Sequence, residues 1–317
     1  MKKIKSVNPV VLTVTANPSL DVVIDYAVAQ NHFTRVKSRY EMAGGKGINV
    51  ARALSYFHAP VVMTGFLGGA TGLKMRRILK KENFCASFVD SRRQTRTNYF
   101  LYFKKKLVHS LPGESPVITK KKAEMFWGRY KKILPKAWAL AASGSSPLGL
   151  SKDFYAKLIR AAKIKNLFTA LDTHGDLLRE GIKANPHFIK PNEEECCEFL
   201  GCRLDTTKQQ MKALRSFYAL GIGKIIISLG DKGSVAFDGR NAWKVDSLPA
   251  GGPYPTGCGD TMVGCFLYGQ SQAMPFEDCY RIAVAGSVAN TFSVVPGEIK
   301  ESAFKRAYQS VKIKKIP

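Results

Sequence analysis

Short apolar runs alternate along the chain with longer stretches that carry hydrophobic residues at helical spacing. The runs predict strands at residues 10–15, 61–66, 138–142, 168–172, 188–190 and 224–229. Apolar runs without polar alternation are typical of strands that are buried on both faces of a parallel sheet. Their alternation with helical stretches predicts an α/β fold with a central, mainly parallel sheet flanked by helices.

Two segments break this alternation. Residues 22–40 and 97–111 are rich in β-forming residues and show no good helical period. They predict a small second sheet, with segments at about 19–42 and 96–112, that forms a lid over the site. The sequence contains no linker that would divide it, so we expect one domain over residues 1–317.

Two glycine-rich loops each open a predicted helix. Residues 43–47, Ala-Gly-Gly-Lys-Gly, precede Val50, Leu54 and Phe57, which follow at helical spacing. Residues 255–262, Pro-Thr-Gly-Cys-Gly-Asp-Thr-Met, start an apolar helical segment that runs to about Tyr268. Neither loop has the spacing of a P-loop or of a dinucleotide-binding fingerprint, so both of those classes are excluded.

The second loop combines an anion site with a carboxylate. Its glycines allow consecutive N–H groups to point into one concavity, and a helix N-terminus adds partial positive charge where phosphoryl oxygens can bind. Asp260 lies at the rim, where it can take a proton from an attacking hydroxyl. The alternative is an ordinary glycine loop with Asp260 as a helix N-cap, and the short pattern alone does not separate the two.

The composition narrows the class of protein. A hydrophobic content of 45% over 317 residues supports a large core, and no apolar run approaches membrane-spanning length. The formal charge is +25, with lysine runs at 104–106, 120–122, 131–132 and 314–315. No nucleic-acid-binding motif accompanies these runs, so we expect a solvated basic surface that attracts anionic metabolites, and no nucleic-acid or membrane partner. Seven cysteines without paired spacing indicate reduced thiols in a cytoplasmic protein.

Nine short motifs follow one another along the chain. They are NPSLD at 17–21, GGKGINVAR at 44–52, GFLGGATG at 65–72, TRTN at 95–98, PGE at 112–114, SGSSP at 143–147, KPNEEE at 190–195, SLG at 228–230 and GCGD at 257–260. Together and in this order they resemble the ribokinase-like (PfkB) carbohydrate kinase family, in its branch that acts on phosphorylated ketohexoses. The resemblance implies a ribokinase-like fold with a small β-sheet lid, and a homodimer formed through that lid.

The resemblance assigns the chemistry to the second glycine loop. It implies that Asp260 is the general base and that the amides of Gly257, Cys258 and Gly259 form an anion hole for the transferred phosphoryl group. Cys258 stands where alanine is usual in the family. Its position at a helix N-terminus suggests a depressed thiol pKa, and the simpler interpretation is a small residue tolerated for packing.

The resemblance also implies ATP and Mg²⁺ as cofactors. Asn192 and Glu195 match residues that hold the magnesium–phosphate network through water. Judged from the residues alone, this segment is equally an acidic helix start. The implied nucleotide-side residues are Lys190, Asn192, Ser228, Gly230, Gly257, Gly259, Ser287 and Asn290, of which the last two would otherwise be read as helix packing.

For the sugar, the resemblance implies contacts from Asp21, Gly44, Gly45 and Asn49. Lys46, Arg96 and Ser145 are candidates for binding the phosphate already on the sugar, since arginine offers a bidentate fork and lysine a mobile point charge. Arg35 and Lys37 lie on the predicted lid, and for them a surface role is preferred over a phosphate contact.

The expected reaction is phosphoryl transfer from ATP to a free hydroxyl of a ketohexose monophosphate. Fructose 1-phosphate is the first choice of substrate, and fructose 6-phosphate and tagatose 6-phosphate are alternatives. The cations Lys46 and Arg96 argue against a kinase of an unphosphorylated sugar or nucleoside. The intact loop around Asp260 argues against a catalytically silent sugar-phosphate-binding protein.

Overall fold

The computed structural model describes residues 9–30, 33–246 and 251–316. Its strands are β1 (Val10–Thr15), β2 (Ser19–Gln30), β3 (Phe33–Gly44), β4 (Val61–Leu67), β5 (Cys85–Asp90), β6 (Arg96–Phe103), β7 (Lys106–Leu111), β8 (Ala137–Ser143), β9 (Phe168–Asp172), β10 (Phe188–Ile189), β11 (Lys224–Ser228), β12 (Ser234–Phe237), β13 (Ala242–Val245) and β14 (Lys314–Ile316). Its helices are α1 (Lys46–Tyr56), α2 (Gly69–Lys81), α3 (Lys120–Ile133), α4 (Phe154–Ile164), α5 (Gly175–Ile182), α6 (Glu193–Leu200), α7 (Thr207–Ala219), α8 (Cys258–Ser271), α9 (Phe276–Asn290) and α10 (Glu301–Ser310).

The larger sheet has ten strands within the described ranges, in the order β14-β13-β12-β11-β10-β9-β8-β1-β4-β5. Strands from β11 to β5 in this order pair in parallel. β12, β13 and β14 extend the sheet with antiparallel pairs. Parallel neighbours require crossover connections, and the helices that supply them cover both faces of the sheet.

Alternate residues of each central strand pack into separate cores on the two faces. Leu12 and Val14 of β1 face a cluster that includes residues of α3, α4, α5, α6 and α7. Val11 faces the opposite cluster, which includes residues of α1, α8, α9 and α10. The apolar runs seen in the sequence are therefore strands buried on both faces, as predicted.

The smaller sheet has the order β3-β2-β6-β7. β2 pairs in parallel with β6 and antiparallel with β3, and β7 pairs antiparallel with β6. Leu20, Val22 and Ala43 of this sheet pack in one cluster with residues of α1 and α2. These strands occupy the two segments predicted to form a small sheet, with β3 reaching Gly44 and β6 starting at Arg96.

The predicted α/β fold is confirmed, and its strand positions agree closely with the sequence. β1 and β9 have the predicted bounds, and the other four predicted strands differ by one residue at one or both ends. β5, β12, β13 and β14 were not predicted. Three of them have only three or four residues, and β5 is an edge strand with exposed residues, so none carries a long apolar run.

The polar loops that follow the parallel strands meet at one edge of the larger sheet. Thr15, Ser143, Asp172 and Ser228 are the last residues of β1, β8, β9 and β11. Carboxyl ends of parallel strands are where open α/β sheets bind ligands. Across the three described ranges, no helix combines the length and apolar character needed to cross a bilayer.

Candidate active site

A cleft of about 890 Å³ lies at this edge of the larger sheet. Its walls come from the carboxyl ends of the central strands, from the small sheet and from the start of α8. Of the predicted site residues, the cleft is lined by Asp21, Gly45, Lys46, Asn49, Arg96, Ser145, Lys190, Asn192, Ser228, Gly257, Cys258, Gly259 and Asp260. Most of the predicted site is therefore assembled around one cavity.

Gly257 shapes the start of α8. It is the N-cap residue, with φ at 87°, and a Cβ at this position would lie 2.6 Å from the Cβ of Pro296. Only glycine fits this combination of left-handed backbone and close packing. The Cys258 amide donates to Pro255 O at 3.3 Å. Of the three predicted anion-hole amides, those of Gly257 and Gly259 have no backbone acceptor within the described part of the chain.

Asp260 is buried in the first turn of α8. Asn49 Nδ2 donates to Asp260 Oδ2 at 2.7 Å, a contact made possible by close packing of α1 on α8. At that crossing a Cβ on Gly264 would lie 2.7 Å from Val50 O, so the helices approach through a glycine. Burial raises the pKa of Asp260 to about 7, although Lys46 and the Asn49 hydrogen bond lower it. A carboxylate with a pKa near neutrality is suited to accept a proton.

A cluster of charged side chains lies next to Asp260. Asp172 Oδ1, at the end of β9, is 3.3 Å from Lys46 Nζ and 3.6 Å from Lys190 Nζ. Lys46 Nζ is also 3.6 Å from Glu195 Oε1. Burial works against the charge on Lys46, but Asp172, Asp260 and Glu195 more than offset it and raise the pKa of Lys46. Lys46 is therefore a permanent cation at the base end of the cleft.

This placement differs from the role that the sequence suggested for Lys46. The sequence grouped Lys46 with Arg96 and Ser145 as contacts of the phosphate already on the sugar. In the structure its ammonium pairs with Asp172 and Glu195. Arg96 and Ser145 instead share Asn17 as a partner.

The second buried carboxylate, Asp21, lies on the small sheet. Its Oδ1 accepts hydrogen bonds from Ser19 Oγ at 2.7 Å and from Asn98 Nδ2 at 3.0 Å. Burial raises the pKa of Asp21 to about 6, and these two hydrogen bonds lower it. A Cβ on Gly44 would lie 1.9 Å from Asp21 Oδ2, so the carboxylate occupies the space that a side chain at Gly44 would take.

Arg96, at the start of β6, lies beside Asn17. Its Nη2 donates to Asn17 O at 3.0 Å, and Asn17 Nδ2 donates to Ser115 Oγ at 2.7 Å and to Ser145 Oγ at 3.1 Å. Within the described residues, the buried atoms Asn17 Oδ1 and Arg96 Nε have no hydrogen-bond partner. Buried polar atoms without partners are unusual, so this group is prepared for a polar ligand.

Asn192 and Glu195 form a capping box at the start of α6. Asn192 N donates to Glu195 Oε2 at 2.9 Å, and Glu195 N donates to Asn192 Oδ1 at 2.7 Å. Glu195 Oε1 takes no part in the capping box and lies 3.6 Å from Lys46 Nζ. Among the residues with described positions, no group of three His, Cys, Asp or Glu side chains could hold a metal ion. Mg²⁺ usually needs only one or two carboxylates together with water and phosphate oxygens, so this donor set fits an ion carried by a nucleotide.

A second cavity of about 480 Å³ adjoins the cleft near the start of α8. Gly230 and Ser287 line it, and Asn192, Ser228, Cys258 and Gly259 line both cavities. Its remaining walls include the apolar side chains of Val245, Met262, Val284 and Val288. A cavity with apolar walls and a polar opening toward the anion loop has the shape that a nucleotide requires.

Asn290 has a different position from the one predicted. It is fully buried, donates to Thr256 O at 2.9 Å, and accepts from Gly297 N at 2.6 Å. Its side chain holds the loop before α8, so we do not expect a direct nucleotide contact. The alternative of helix packing is thus the better interpretation of Asn290.

Three further predictions concern residues at the margins of the site. Burial raises the pKa of the Cys258 thiol to about 11, so the hypothesis of a depressed pKa was wrong. Desolvation outweighs the helix N-terminus at this thiol. Arg35 and Lys37 are exposed on β3 and do not line the cleft of the chain.

Several residues of the site were not identified from the sequence. Asp172 is the last residue of an apolar strand, and this position is the feature of the sequence that could have identified it as a site residue. Asn17, Asn98 and Arg52 belong to motifs that the sequence analysis quoted, but their contacts depend on distant segments. Ser115 follows the PGE motif directly.

Comparison with known proteins identifies the family. The pattern of the PfkB family of carbohydrate kinases matches residues 15–295. The chain belongs to the PfkB family. The match covers the small sheet, the cleft and the loop before α8. It confirms the predicted family and makes the protein a phosphate-transferring enzyme of carbohydrate metabolism.

Individual relatives of this PfkB kinase cover nearly its whole length. The tagatose-6-phosphate kinase of Staphylococcus epidermidis is 30% identical over 309 residues, which are 96% of this chain and 99% of that protein. The 1-phosphofructokinase of Bacillus subtilis is 28% identical over 286 residues, covering 89% of this chain and 93% of that protein. The crystal structure of a possible 1-phosphofructokinase from Thermotoga maritima aligns with a TM-score of 0.89 at 26% identity, covering 97% of this chain and all of that one. These similarities confirm the ribokinase-like fold.

Proposed function

We propose that the protein transfers a phosphoryl group from ATP to a free hydroxyl of a ketohexose monophosphate, giving a bisphosphate. Fructose 1-phosphate is the first choice of substrate. The relatives named tagatose-6-phosphate kinase and 1-phosphofructokinase support this substrate class. The observation that carries the proposal is the buried Asp260, which lies beside free helix amides in a cleft that also holds Arg96.

The base end of the cleft supplies the chemistry. Asp260 takes the proton from the sugar hydroxyl as that oxygen attacks the terminal phosphorus of ATP. The amides of Gly257 and Gly259 stabilise the charge on the transferred group, and the half-buried Lys46 and the buried Lys190 add two positive charges nearby. Protein kinases and related enzymes work mainly by positioning reactants and stabilising charge, so this set of groups is sufficient.

Asn192 and Glu195 would hold Mg²⁺ through water at the start of α6. When bound, the ion would neutralise part of the charge on the phosphate groups of ATP. Gly230, Ser228 and Ser287 are placed around the cavity proposed for the nucleotide. Its apolar walls are suited to the base of ATP.

The opposite end of the cleft supports a substrate that already carries phosphate. In this proposal Asp21, Gly45 and Asn49 contact sugar hydroxyls, with Asn49 next to the base Asp260, and Arg96 with Ser145 contacts the phosphate; all of these residues line the cleft. Arg96 Nε is buried without a partner among the described residues, which is costly unless a ligand anion completes its hydrogen bonds. This feature favours a sugar phosphate over an unphosphorylated sugar or nucleoside.

The test is ADP release with ATP and Mg²⁺ against fructose 1-phosphate, fructose 6-phosphate, tagatose 6-phosphate and unphosphorylated fructose. We expect strong turnover of one phosphate, and a loss of about 10² to 10⁴ in kcat for Asp260→Asn, since the general base is removed. The Asn side chain has nearly the same shape, and thermal unfolding of both proteins controls for folding. Faster turnover of plain fructose than of its phosphates would overturn the proposed substrate class, and an active Asp260→Asn variant would overturn the base.

Three further properties are proposed on the family resemblance. The small sheet acts as a lid, and two copies of the chain associate through it. The protein works in the cytoplasm. Light scattering of the purified protein tests the association, with a monomer as the result that contradicts it.

A further inference from the structure

Arg52 is buried one turn beyond Asn49 on α1, and its guanidinium donates hydrogen bonds to several acceptors. Nη1 donates to Asn49 Oδ1 at 3.2 Å and to Pro296 O at 3.2 Å. Nη2 donates to Ala43 O at 2.6 Å and to Glu82 Oε1 at 3.1 Å, and Nε donates to Glu82 Oε2 at 2.9 Å. The residue is 6% exposed. A guanidinium is the one side chain that can serve so many acceptors in a fixed plane.

The contact with Asn49 determines which end of its amide faces the base. An asparagine side chain presents an oxygen acceptor at one position and an NH₂ donor at the other. Asp260 Oδ2 needs the donor, and Asn49 Nδ2 supplies it at 2.7 Å. Because Arg52 is only a donor, it binds the amide oxygen and leaves the NH₂ group toward Asp260. The reverse orientation would place an oxygen against the carboxylate and a donor against the guanidinium.

The backbone contacts of Arg52 join both glycine loops. Ala43 precedes Gly44, the glycine beside Asp21. Pro296 packs directly against Gly257, where a Cβ would meet it at 2.6 Å. Glu82, after α2, pairs with the guanidinium along the edge formed by Nε and Nη2. Arg52 thus links the residue that contacts the base to the backbone on either side of the reacting groups.

We propose that Arg52 is a positioning residue of the kinase reaction, which fixes the Asn49 amide and thereby holds Asp260 Oδ2 so that Oδ1 faces the sugar hydroxyl. The inference rests on the proposed function of Asp260 as base. Arg52 does not line the cleft, and it acts on the reaction through Asn49. The alternative is a buried arginine that only stabilises the fold, and the experiments below separate the two.

The first experiment replaces Arg52 and measures kcat and KM separately. In Arg52→Ala, kcat falls on the order of 10- to 100-fold, because small misplacements of reacting groups have effects of this size. KM for the sugar phosphate changes by less than about threefold, since groups that bind the sugar remain. If Arg52→Ala does not fold, Arg52→Lys retains the charge but cannot serve Asn49, Ala43 and Glu82 together, and the same fall in kcat is expected.

A matched control is available at Arg281. This partly buried arginine also donates to a backbone carbonyl, Val311 O at 2.7 Å, and pairs with a glutamate, Glu277, at 3.5 Å. It lies on α9 and does not line the cleft. Arg281→Ala should lose thermal stability but keep the wild-type kcat. Equal loss of kcat in the two variants would assign Arg52 a structural role only.

Chemical rescue of kcat distinguishes a positioning role of Arg52 from a purely structural one. A surface cavity of about 320 Å³ is lined by Arg52, Glu82, Ser55 and Tyr56, so a small cation can reach the space left by Arg52→Ala. Millimolar guanidinium should restore part of kcat in Arg52→Ala but have no such effect on wild type or Arg281→Ala. Sodium chloride at equal ionic strength is the control for salt. Absence of rescue in a folded variant would contradict the inference.

A double-mutant cycle tests the route through Asn49. If Arg52 acts by orienting that amide, Arg52→Ala has little further effect on kcat once Asn49→Ala has removed the amide. Multiplicative losses in the double variant would overturn the inference. The wild-type assay distinguishes failure of the proposed function from failure of the Arg52 inference. No turnover by the wild type counts against the proposed function. Normal wild-type turnover with unaltered Arg52→Ala kinetics counts against the role of Arg52 alone.

Discussion

Two buried aspartates face the same cleft, but their surroundings differ. The pKa of Asp260 is raised to about 7 and that of Asp21 to about 6, in both cases chiefly by burial. At Asp260 the largest opposing influence is the charge of Lys46. At Asp21 it is the hydrogen bonds from Ser19 and Asn98. The pKa of Asp260 is therefore lowered mainly by a charged neighbour, and that of Asp21 mainly by neutral hydrogen-bond donors.

This difference predicts separate roles for two parts of the cleft: the base end, around Asp260, and the sugar end, around Asp21. The pKa of a carboxylate surrounded by charged groups changes readily when a phosphate binds or a proton is transferred nearby, which suits a base. A carboxylate held by two neutral donors keeps its orientation, which suits recognition of hydroxyl groups. Changes at the base end should therefore appear in kcat, and changes at the sugar end in KM.

Lys46→Met tests this comparison and should have the largest effect, which is a fall in kcat. We expect kcat to fall about 100-fold or more, because the substitution removes the half-buried cation that we propose stabilises the transferred phosphoryl group. KM for the sugar phosphate should stay within about threefold of wild type. Steady-state kinetics with varied sugar phosphate measure both, and Lys74→Met on α2 is the control for loss of an exposed lysine charge.

The opposite outcome for Lys46 has a defined meaning. If KM rises and kcat is retained, Lys46 binds the phosphate already on the sugar, as the sequence suggested. Thermal unfolding must accompany the kinetics, since removing Lys46 takes one cationic partner from the buried Asp172 and lowers the free energy of unfolding. Asp172 would then retain Lys190 as its remaining cationic partner.

A smaller effect is expected from Arg96→Lys at the sugar end. Lysine keeps the charge but loses the fork geometry, so KM for the sugar phosphate should rise about tenfold with kcat nearly unchanged. Unphosphorylated fructose, used as a poor substrate, should show the same KM with both proteins. A large fall in kcat would instead place Arg96 with the base end.

The smallest effect concerns the pH dependence. Because the pKa of Asp260 lies near 7, kcat/KM should fall as the pH drops below about 7 and the base becomes protonated. Lys46 lowers this pKa, so Lys46→Met should move the acidic limb upward by about one unit. Arg96→Lys should leave it in place, which also controls for ionisation of the substrate's own phosphate. A limb that moves equally in both variants would show that the two ends are not separate.

The sequence predicted the fold and most of the cleft because these depend on local patterns. Apolar runs that are buried on both faces identify central strands, and glycine followed by an apolar helix identifies the loops before α1 and α8. The short strands β12, β13 and β14 were missed because three or four residues carry little periodicity. Their positions depend on pairing with neighbours that only the folded chain supplies.

The partners of individual side chains were less predictable. Lys46 was expected beside Arg96, but the end of β9 brings Asp172 to it from 126 residues away. Asn290 matches a nucleotide-side position, yet its amide is satisfied by Thr256 O in the loop before α8 and by Gly297 N in the loop after α9. Cys258 lies at a helix N-terminus, where the dipole favours a thiolate, but its burial is a tertiary property and has the larger effect. In each case a local pattern identified the residue, and long-range packing decided its partner.

The parallel pairing of β2 with β6 also governs when the sugar end is completed during folding. Asp21 and Asn98 are 77 residues apart, and the intervening chain contributes α1, β4, α2 and β5 to the main body of the molecule. Joining such distant segments carries the entropic cost of closing a long loop, which nearer contacts do not have to meet. A nascent chain that ends before Arg96 already contains Asp21 but lacks the strand that holds it. The hydrogen bond from Asn98 that orients Asp21 can therefore form only after α1, β4, α2 and β5 have been synthesised.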